Sequence, residues 1–469
     1  MTQSIIENLE ITGLSHDGRG ITHIDGKACF VSQTIPGDLV TVKITHNERS
    51  FLNAQLLKIQ TASKDRREPF CDKYADCGGC QLQHQTIEAQ RYWKTQNFFT
   101  QLNQQLNTEH CEFAPTLTTD DKGYRRRARL ALEVDKKDKQ ARLGFRRSQD
   151  NRLVDIEQCP VLTAELNLAI AQARPQLLAE ASRKTKELTI VDADNGVFGL
   201  TKNDQIPEYQ IQVLDKPALT LNFPEDGFIQ VNAQMNQQMI QQALSWLDLQ
   251  SSHKVIDFFR GVGNFTLPLA QNAKHAVGVE GLDTLVSAAD RNAQQNALDN
   301  CAFYKADLFQ DIQHLPWFLG QKYDRVLLDP GRLGASELCK QLGELQANKI
   351  VYVSCIAATL IRDVKHLEKQ GYLITQVGAM DMFPHTTHLE VMVLLEKNKK
   401  QKQQRQKRLE RKKHVFKFWI IDTPYPNIYA QQGYVNFVIG KVCGLLIEPT
   451  RVNLKNNHKI YIPNSSKPC

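Results

Sequence analysis

Over residues 1–62 apolar and polar positions alternate in short runs, at Glu7–Thr12, Lys27–Val31, Asp38–Thr45 and Ala54–Gln60. The runs are cut by His16-Asp17-Gly18-Arg19-Gly20, Asp25-Gly26 and Pro36-Gly37-Asp38. Alternation of this period between Asp-Gly and Pro-Gly turns predicts a small β-barrel. Residues 63–225 mix strand and helix patterns, which predicts a central α+β domain. From 226 to 397 helical runs alternate with continuous apolar runs at Lys254–Phe259, His275–Glu280, Tyr323–Asp329 and Lys349–Cys355. That order predicts a doubly wound α/β domain on a mostly parallel sheet. Residues 398–469 open as a charged low-complexity run, expected to be disordered for want of apolar residues. The apolar, Pro-containing stretch that follows fits none of these patterns.

Composition changes this picture little. The 469 residues suffice for several domains, and 41% hydrophobic content is ordinary for globular protein. No run approaches the ~20 apolar residues that cross a bilayer, and the polar N-terminus lacks a secretory pattern. The expectation is a cytoplasmic monomer that engages no membrane. The net charge of +7 is misleading as a sum. Residues 397–413 hold ten Lys or Arg against Glu410, and without them 48 basic residues face 50 acidic ones. More telling is the stretch from Lys122 to Arg152, with twelve basic and four acidic residues in a folded-looking pattern. Its Arg125, Arg126, Arg127, Arg129, Arg146 and Arg147 are candidate contacts to RNA phosphates.

The run Val255-Ile256-Asp257-Phe258-Phe259 leads straight into Arg260-Gly261-Val262-Gly263-Asn264 and a helix. Glycines at a strand-to-helix turn let backbone approach a ligand, although a tight turn alone would read the same way. The next strand ends at Glu280, where a carboxylate can accept from ribose hydroxyls. Asp307 follows the third strand and is either a base-facing group or a helix cap. Two glycines suit S-adenosylmethionine better than the pyrophosphate of NAD.

Asp329 and Cys355 close two further apolar strands, and in a doubly wound sheet such ends surround one crevice. A strand cysteine is usually an inert apolar residue. With a methyl donor beside it, however, a thiolate can add to C6 of uracil and so make C5 nucleophilic. A carboxylate must then remove the C5 proton, and Glu390 stands at the mouth of another strand. Elsewhere Cys71, Cys77 and Cys80 crowd one loop, and Cys159-Pro160 offers a fourth thiol. Three thiols together with a distant fourth favour a [4Fe–4S] cluster over structural zinc.

The chain resembles the bacterial RNA uracil-C5 methyltransferases over residues 1–397, within them the 23S rRNA branch that carries an N-terminal TRAM barrel. The resemblance is carried by Cys77-Gly78-Gly79-Cys80-Gln81, Tyr124-Arg125-Arg126-Arg127-Ala128-Arg129, Gly144-Phe145-Arg146-Arg147, Phe228-Ile229-Gln230-Val231-Asn232, Gly263-Asn264-Phe265-Thr266, Val353-Ser354-Cys355 and Asp381-Met382-Phe383-Pro384-His385. It implies that the barrel of residues 1–62 is of the oligonucleotide-binding type. It also implies a [4Fe–4S] cluster on Cys71, Cys77, Cys80 and Cys159, and donor contacts at Gln230, Phe259, Asn264, Glu280, Asp307 and Asp329. It places the nucleophile at Cys355 and the proton acceptor at Glu390, with 23S rRNA as partner. Three departures stand out. Ile356-Ala357 replaces Asn-Pro after the nucleophile, Arg260 replaces a cysteine beside the donor, and Asp329-Pro330-Gly331-Arg332-Leu333-Gly334 replaces Asp-Pro-Ala-Arg-Ala-Gly. An RNA-binding protein of this fold with little catalysis, or a tRNA uracil methyltransferase, are the alternative readings.

Overall fold

In the computed structural model, residues 4–200 and 204–398 are described, together with two short paired strands at Tyr434–Val435 and Val452–Asn453. The remainder of the expected tail, 398–469, lies outside the described residues.

The first strands are β1 (Ile5–Glu10), β2 (Gly13–Leu14), β3 (Gly20–Ile24), β4 (Lys27–Val31), β5 (Leu39–Asn47) and β6 (Phe51–Thr61). They form one sheet in the order β1-β5-β6-β4-β3-β2. Since β1 and β2 belong to one bent run, the two sheet edges are joined. Ile11 N–H bonds to Asp38 O on one side and Thr12 N–H to Ile21 O on the other. The barrel is thereby closed, which removes exposed edges. Ile11, Cys29, Val31, Val40 and Val42 fill it. Short β2 and β3 lie among the turn residues and carried no readable alternation.

The central domain is smaller than 63–225. Its sheet runs β10-β9-β8-β11-β12, built from β8 (Arg127–Val134), β9 (Ala141–Arg146), β10 (Leu153–Asp155), β11 (Lys186–Ala193) and β12 (Gly196–Phe198). Helix α2 (Ala164–Ala179) packs on it, capped by Thr163. Two segments inside 63–225 belong instead to the C-terminal layer. Helix α1 (Ile87–Gln105) buries Phe98 and Leu102 in that layer's core, and β7 (Glu112–Leu117) pairs with its outermost strand. Pro115 in β7 is tolerated because β7 is an edge strand. The hairpin β13 (Glu208–Ile211) and β14 (Leu219–Asn222) packs on the opposite face of the same layer.

That layer is an eight-stranded sheet, β17-β16-β15-β18-β19-β21-β20-β7. Its members are β15 (Lys254–Phe258), β16 (His275–Glu280), β17 (Cys301–Lys305), β18 (Arg325–Leu328), β19 (Lys349–Ser354), β20 (Tyr372–Met380) and β21 (Glu390–Lys397). The pairs from β17 through β19 are parallel, whereas β21 is antiparallel to both neighbours. Alternate residues explain the continuous apolar runs. Ile256, Phe258, Val326, Leu328, Ile350 and Tyr352 face one core, with α1, α6 (Ser336–Gln341) and α7 (Ala357–Lys369). Val255, Leu327, Val351 and Val353 face the other, with α3 (Ala233–Leu247), α4 (Thr266–Ala270) and α5 (Asp283–Gln295). Both faces are covered, as a doubly wound fold requires. Among the described residues no helix is long and apolar enough to cross a membrane.

Candidate active site

Strand register brings the expected nucleophile and proton acceptor together. Ser354 of β19 lies opposite Val391 of β21 in an antiparallel pair, so the next positions, Cys355 and Glu390, face one another at the sheet's end. Asp329 follows β18, the parallel neighbour of β19. Burial pushes the Cys355 thiol up to about 11, and the charges of Glu390 and Asp329 add to this while Arg332 opposes it. Glu390 is pushed up to about 8 by burial and by Asp329, again opposed by Arg332, and burial lifts Asp329 to about 7. One crevice therefore holds a thiol, two carboxyls and a guanidinium. Arg332 was quoted in the sequence only as part of a motif; its signal was a lone cation directly after Asp-Pro-Gly at a strand mouth.

Replacement of Asn-Pro by Ile356-Ala357 leaves the turn after the thiol ordered. Ile356 precedes α7 without a side-chain cap, but Ser354 Oγ bonds to both its N–H and its carbonyl at 3.2 Å.

The residues expected to contact the donor lie at strand ends or in the loops that follow them. Glu280 accepts from Gly281 N–H at 2.7 Å through Oε1 and from Gly261 N–H at 3.1 Å through Oε2. Its two oxygens are thus fixed, each with a lone pair to spare. Phe259, held at φ 65°, packs its ring against Phe309 at 6.0 Å. Asp307 accepts from Phe309 N–H at 3.0 Å, so it does turn-capping work at that corner. Gly263 has φ 103°, and a Cβ there would lie 2.4 Å from Leu267. Asn264 and Asn236 are bonded reciprocally at 2.9 and 3.0 Å, and Tyr209 O–H also donates to Asn264 Oδ1 at 3.1 Å. Only one Nδ2 hydrogen of Asn264 remains for a ligand. Gln230 is half-buried, and Phe228, two residues earlier, is 68% exposed.

Arg260 does not line this crevice. Its side chain is buried against Phe303, 4.7 Å from the ring centroid, and fills the space over Gly278, where a Cβ would meet its Cδ at 2.2 Å. The missing side chain at Gly278 is what admits it, and from there its charge acts on Asp257 and on Glu280.

Cys71, Cys77, Cys80 and Cys159, expected to hold a cluster, are free and half-buried. Their thiols interact electrostatically: Cys80 with Cys159, Cys77 and Cys71, and Cys159 with Cys71 and Cys77. The loop and the Cys159 segment are therefore neighbours, so the donor set is of the right kind. As placed, however, no group of three or more His, Cys, Asp or Glu among the described residues forms a metal shell. Of the basic residues, Arg129 is exposed and pairs with Glu187 at 3.2 Å, and Arg146 reaches the same Glu187 at 3.4 Å. Arg147 pairs with Asp76, while Arg125 and Arg127 are half-buried. Arg126 is 5% exposed and cannot meet a phosphate, which corrects that expectation. It alternates with its neighbours at the entry to a strand and points inward.

Residues 173–398 match the family model described as tRNA (Uracil-5-)-methyltransferase, and residues 6–57 match that of the TRAM domain. The 23S rRNA (uracil(1939)-C(5))-methyltransferase RlmD of Vibrio vulnificus is 38% identical over 425 residues, covering 82% of this chain and 94% of its own. The enzyme of that name from Shewanella halifaxensis is 39% identical, covering 83% and 95%. Among solved structures, the Pyrococcus abyssi tRNA (uracil-54, C5)-methyltransferase, in complex with S-adenosyl-L-homocysteine, superposes with a TM-score of 0.64. It covers 83% of this chain and all of its own at 22% identity, a likeness of fold. A thiol facing a carboxyl at the end of a doubly wound sheet, a closed TRAM barrel and relatives this similar over most of their length together place the chain in the RNA uracil-C5 methyltransferase family, in its TRAM-bearing, RlmD-type branch.

Proposed function

We propose that this protein transfers a methyl group from S-adenosylmethionine to C5 of a uracil in 23S rRNA, at the position numbered 1939 in the names of its relatives. The observation that carries the reading is Cys355 facing Glu390 across β19 and β21, beside the strand ends bearing Glu280, Asp307 and Asp329. S-adenosylmethionine, when bound, supplies an electrophilic methyl group. Cys355, as thiolate, bonds to C6 of the uracil, and the electron pair of the C5–C6 double bond is pushed toward C5. C5 then takes the methyl group, whose bond to the donor's sulfur breaks and leaves its electron pair on S-adenosylhomocysteine. Glu390, as carboxylate, accepts the C5 proton; the C5–C6 double bond reforms and the sulfur–C6 bond breaks. Arg332 favours the ionised forms of both groups. Gln230, Phe259, Asn264, Glu280, Asp307 and Asp329 hold the donor. Exposed Phe228 gives an extruded base a face to stack on. Arg129, Arg146 and Arg147 meet phosphates by exchanging their carboxylate partners Glu187 and Asp76 for RNA, and Arg125 and Arg127 by releasing backbone carbonyls.

The test is incubation with tritiated S-adenosylmethionine and unmodified 23S rRNA. The expected result is label in the RNA, loss of label with Cys355→Ala, and a trapped covalent adduct with 5-fluorouridine RNA. No label and no adduct would overturn the reading in favour of an RNA-binding protein without catalysis. Label in tRNA alone would assign the other substrate class. Cys71, Cys77, Cys80 and Cys159 are proposed to hold a [4Fe–4S] cluster in a structural role. Anaerobically purified protein should be brown; colourless protein carrying zinc would refute this.

A further inference from the structure

We propose that Arg126 is a positioning residue for the methyl donor, joining the basic strand β8 to Asn264 and Gln230. The proposal rests on the reading of that crevice as the donor site. Arg126 stands immediately before β8, and its backbone ties two segments together: its N–H bonds to Val231 O and its carbonyl accepts from Asp192 N–H, both at 2.8 Å. Its side chain continues inward. Nε donates to the carbonyl of Gln230 at 3.0 Å, and the guanidinium carbon lies 4.9 Å from the centroid of the Tyr209 ring. Tyr209 is 2% exposed, and its hydroxyl donates to Asn264 Oδ1. One guanidinium therefore fixes the backbone at Gln230 directly and the amide of Asn264 through a single aromatic ring. A cation over the ring draws electron density from it and strengthens the hydroxyl as a donor.

The neighbouring arginines show what the other end of this connection touches. Arg125 N–H bonds to Val161 O at 2.9 Å and its carbonyl accepts from Thr163 N–H at 3.1 Å, next to Cys159. Arg127 Nη2 donates to Asp226 O at 3.1 Å, in the loop that leads to Gln230. Three consecutive arginines thus grip the cysteine segment, the donor segment and the RNA-facing strand. Packing alone does not account for the middle one. Arg126 Nη2 is buried without a partner, a cost that a methionine of similar reach would avoid. The guanidinium supplies what methionine cannot: a hydrogen bond to Gln230 and a charge over Tyr209.

The experiment is calorimetric titration of the full chain with S-adenosylhomocysteine, beside RNA binding measured on the same preparations. Tyr209→Phe removes one oxygen and should weaken donor-site affinity about fivefold, the effect of one net hydrogen bond. Arg126→Met should weaken it about tenfold or more, with RNA affinity within about twofold of the parent, and Arg126→Lys should recover most of the loss. Loss of RNA affinity in step with donor affinity, or Arg126→Lys as weak as Arg126→Met, would overturn the assignment. So would unchanged titrations for both Tyr209→Phe and Arg126→Met. Should Arg126→Met fail to fold, Tyr209→Phe and Arg126→Lys still decide. Failure of the parent protein to bind S-adenosylhomocysteine would instead overturn the donor site itself, before any variant is compared.

Discussion

Cys355 is held in surroundings that oppose its ionisation, with burial and two carboxyls against a single guanidinium. At neutral pH the thiol is mostly protonated and Glu390 is largely so. Attack needs the thiolate and proton removal needs the carboxylate, so both steps should quicken as pH rises from 7 toward 9. Single-turnover methylation rates across that range check the direction. Arg332→Gln removes the charge that favours both ionised forms, so its pH profile should move to higher pH, and iodoacetamide alkylation of Cys355 should slow at pH 8. Such environments explain which residues could be read from sequence. The strand-end positions of Cys355 and Glu390 were legible because the apolar runs stop there, whereas the roles expected of them rest on the resemblance. Arg126 reads as an RNA-facing cation and Arg260 as a cation beside the donor, because no pattern in a line of residues says which of several arginines turns inward. Arg126 turns in by strand alternation, and Arg260 because Gly278, far along the chain, leaves it room.

Among the elements, α1 shows why a boundary was misread. Its buried stripe includes Gln90 and Lys94 as well as Phe98 and Leu102, so its apolar periodicity is broken where it packs on a polar loop. That loop is Asp381 to His388, directly ahead of Glu390. Lys94 Nζ lies 2.5 Å from Asp381 Oδ1 and also donates to the carbonyls of Phe383 and His388, while Arg91 holds Oδ2 at 2.9 Å. Lys94→Ala would leave Asp381 buried with a single partner and should destabilise the protein by roughly 3–5 kcal/mol, read by urea denaturation. Lys94→Met with Asp381→Leu should recover much of that loss. The sheet carries a second charge-related device. Asp257, fully buried and bonded to Thr266 Oγ at 2.6 Å, is pushed up to about 8 by burial. A carboxyl whose folded pKa is raised contributes stability below its unfolded value near 3.8 and loses it as pH climbs through about 8. Asp257→Asn should therefore reduce the loss of stability between pH 5 and 8 by roughly 3–4 kcal/mol, measured by denaturation at both pH values.

For the molecule as a whole, the barrel and the doubly wound sheet followed from period and order. The central domain's limits did not, because β7 pairs with the C-terminal sheet and the hairpin β13–β14 packs on that sheet as well as on β11 and β12. The basic surface provides a global test. Replacing Arg129 or Arg147 by Ala should weaken 23S rRNA binding and flatten the plot of log affinity against log salt by about 0.7 per lost contact. Arg126→Met should leave that slope unchanged, which separates its buried position from the surface ones.

The pairing of β7 with β20 also governs how the chain can be assembled. Glu112 and Gln376, partners across that pair, are 264 residues apart, so the edge strand leaves the ribosome long before the strand it protects is made. Until then Phe98 and Leu102 of α1 have no core to enter, and a nascent chain must hold both segments in reserve. By the same logic, a fragment starting at residue 226 would present β20 as a bare edge beside an uncovered apolar face, and should self-associate rather than fold alone. The doubly wound layer is thus contiguous in space but not along the chain, and it can be inherited, expressed or transplanted only together with the segment that precedes the central sheet.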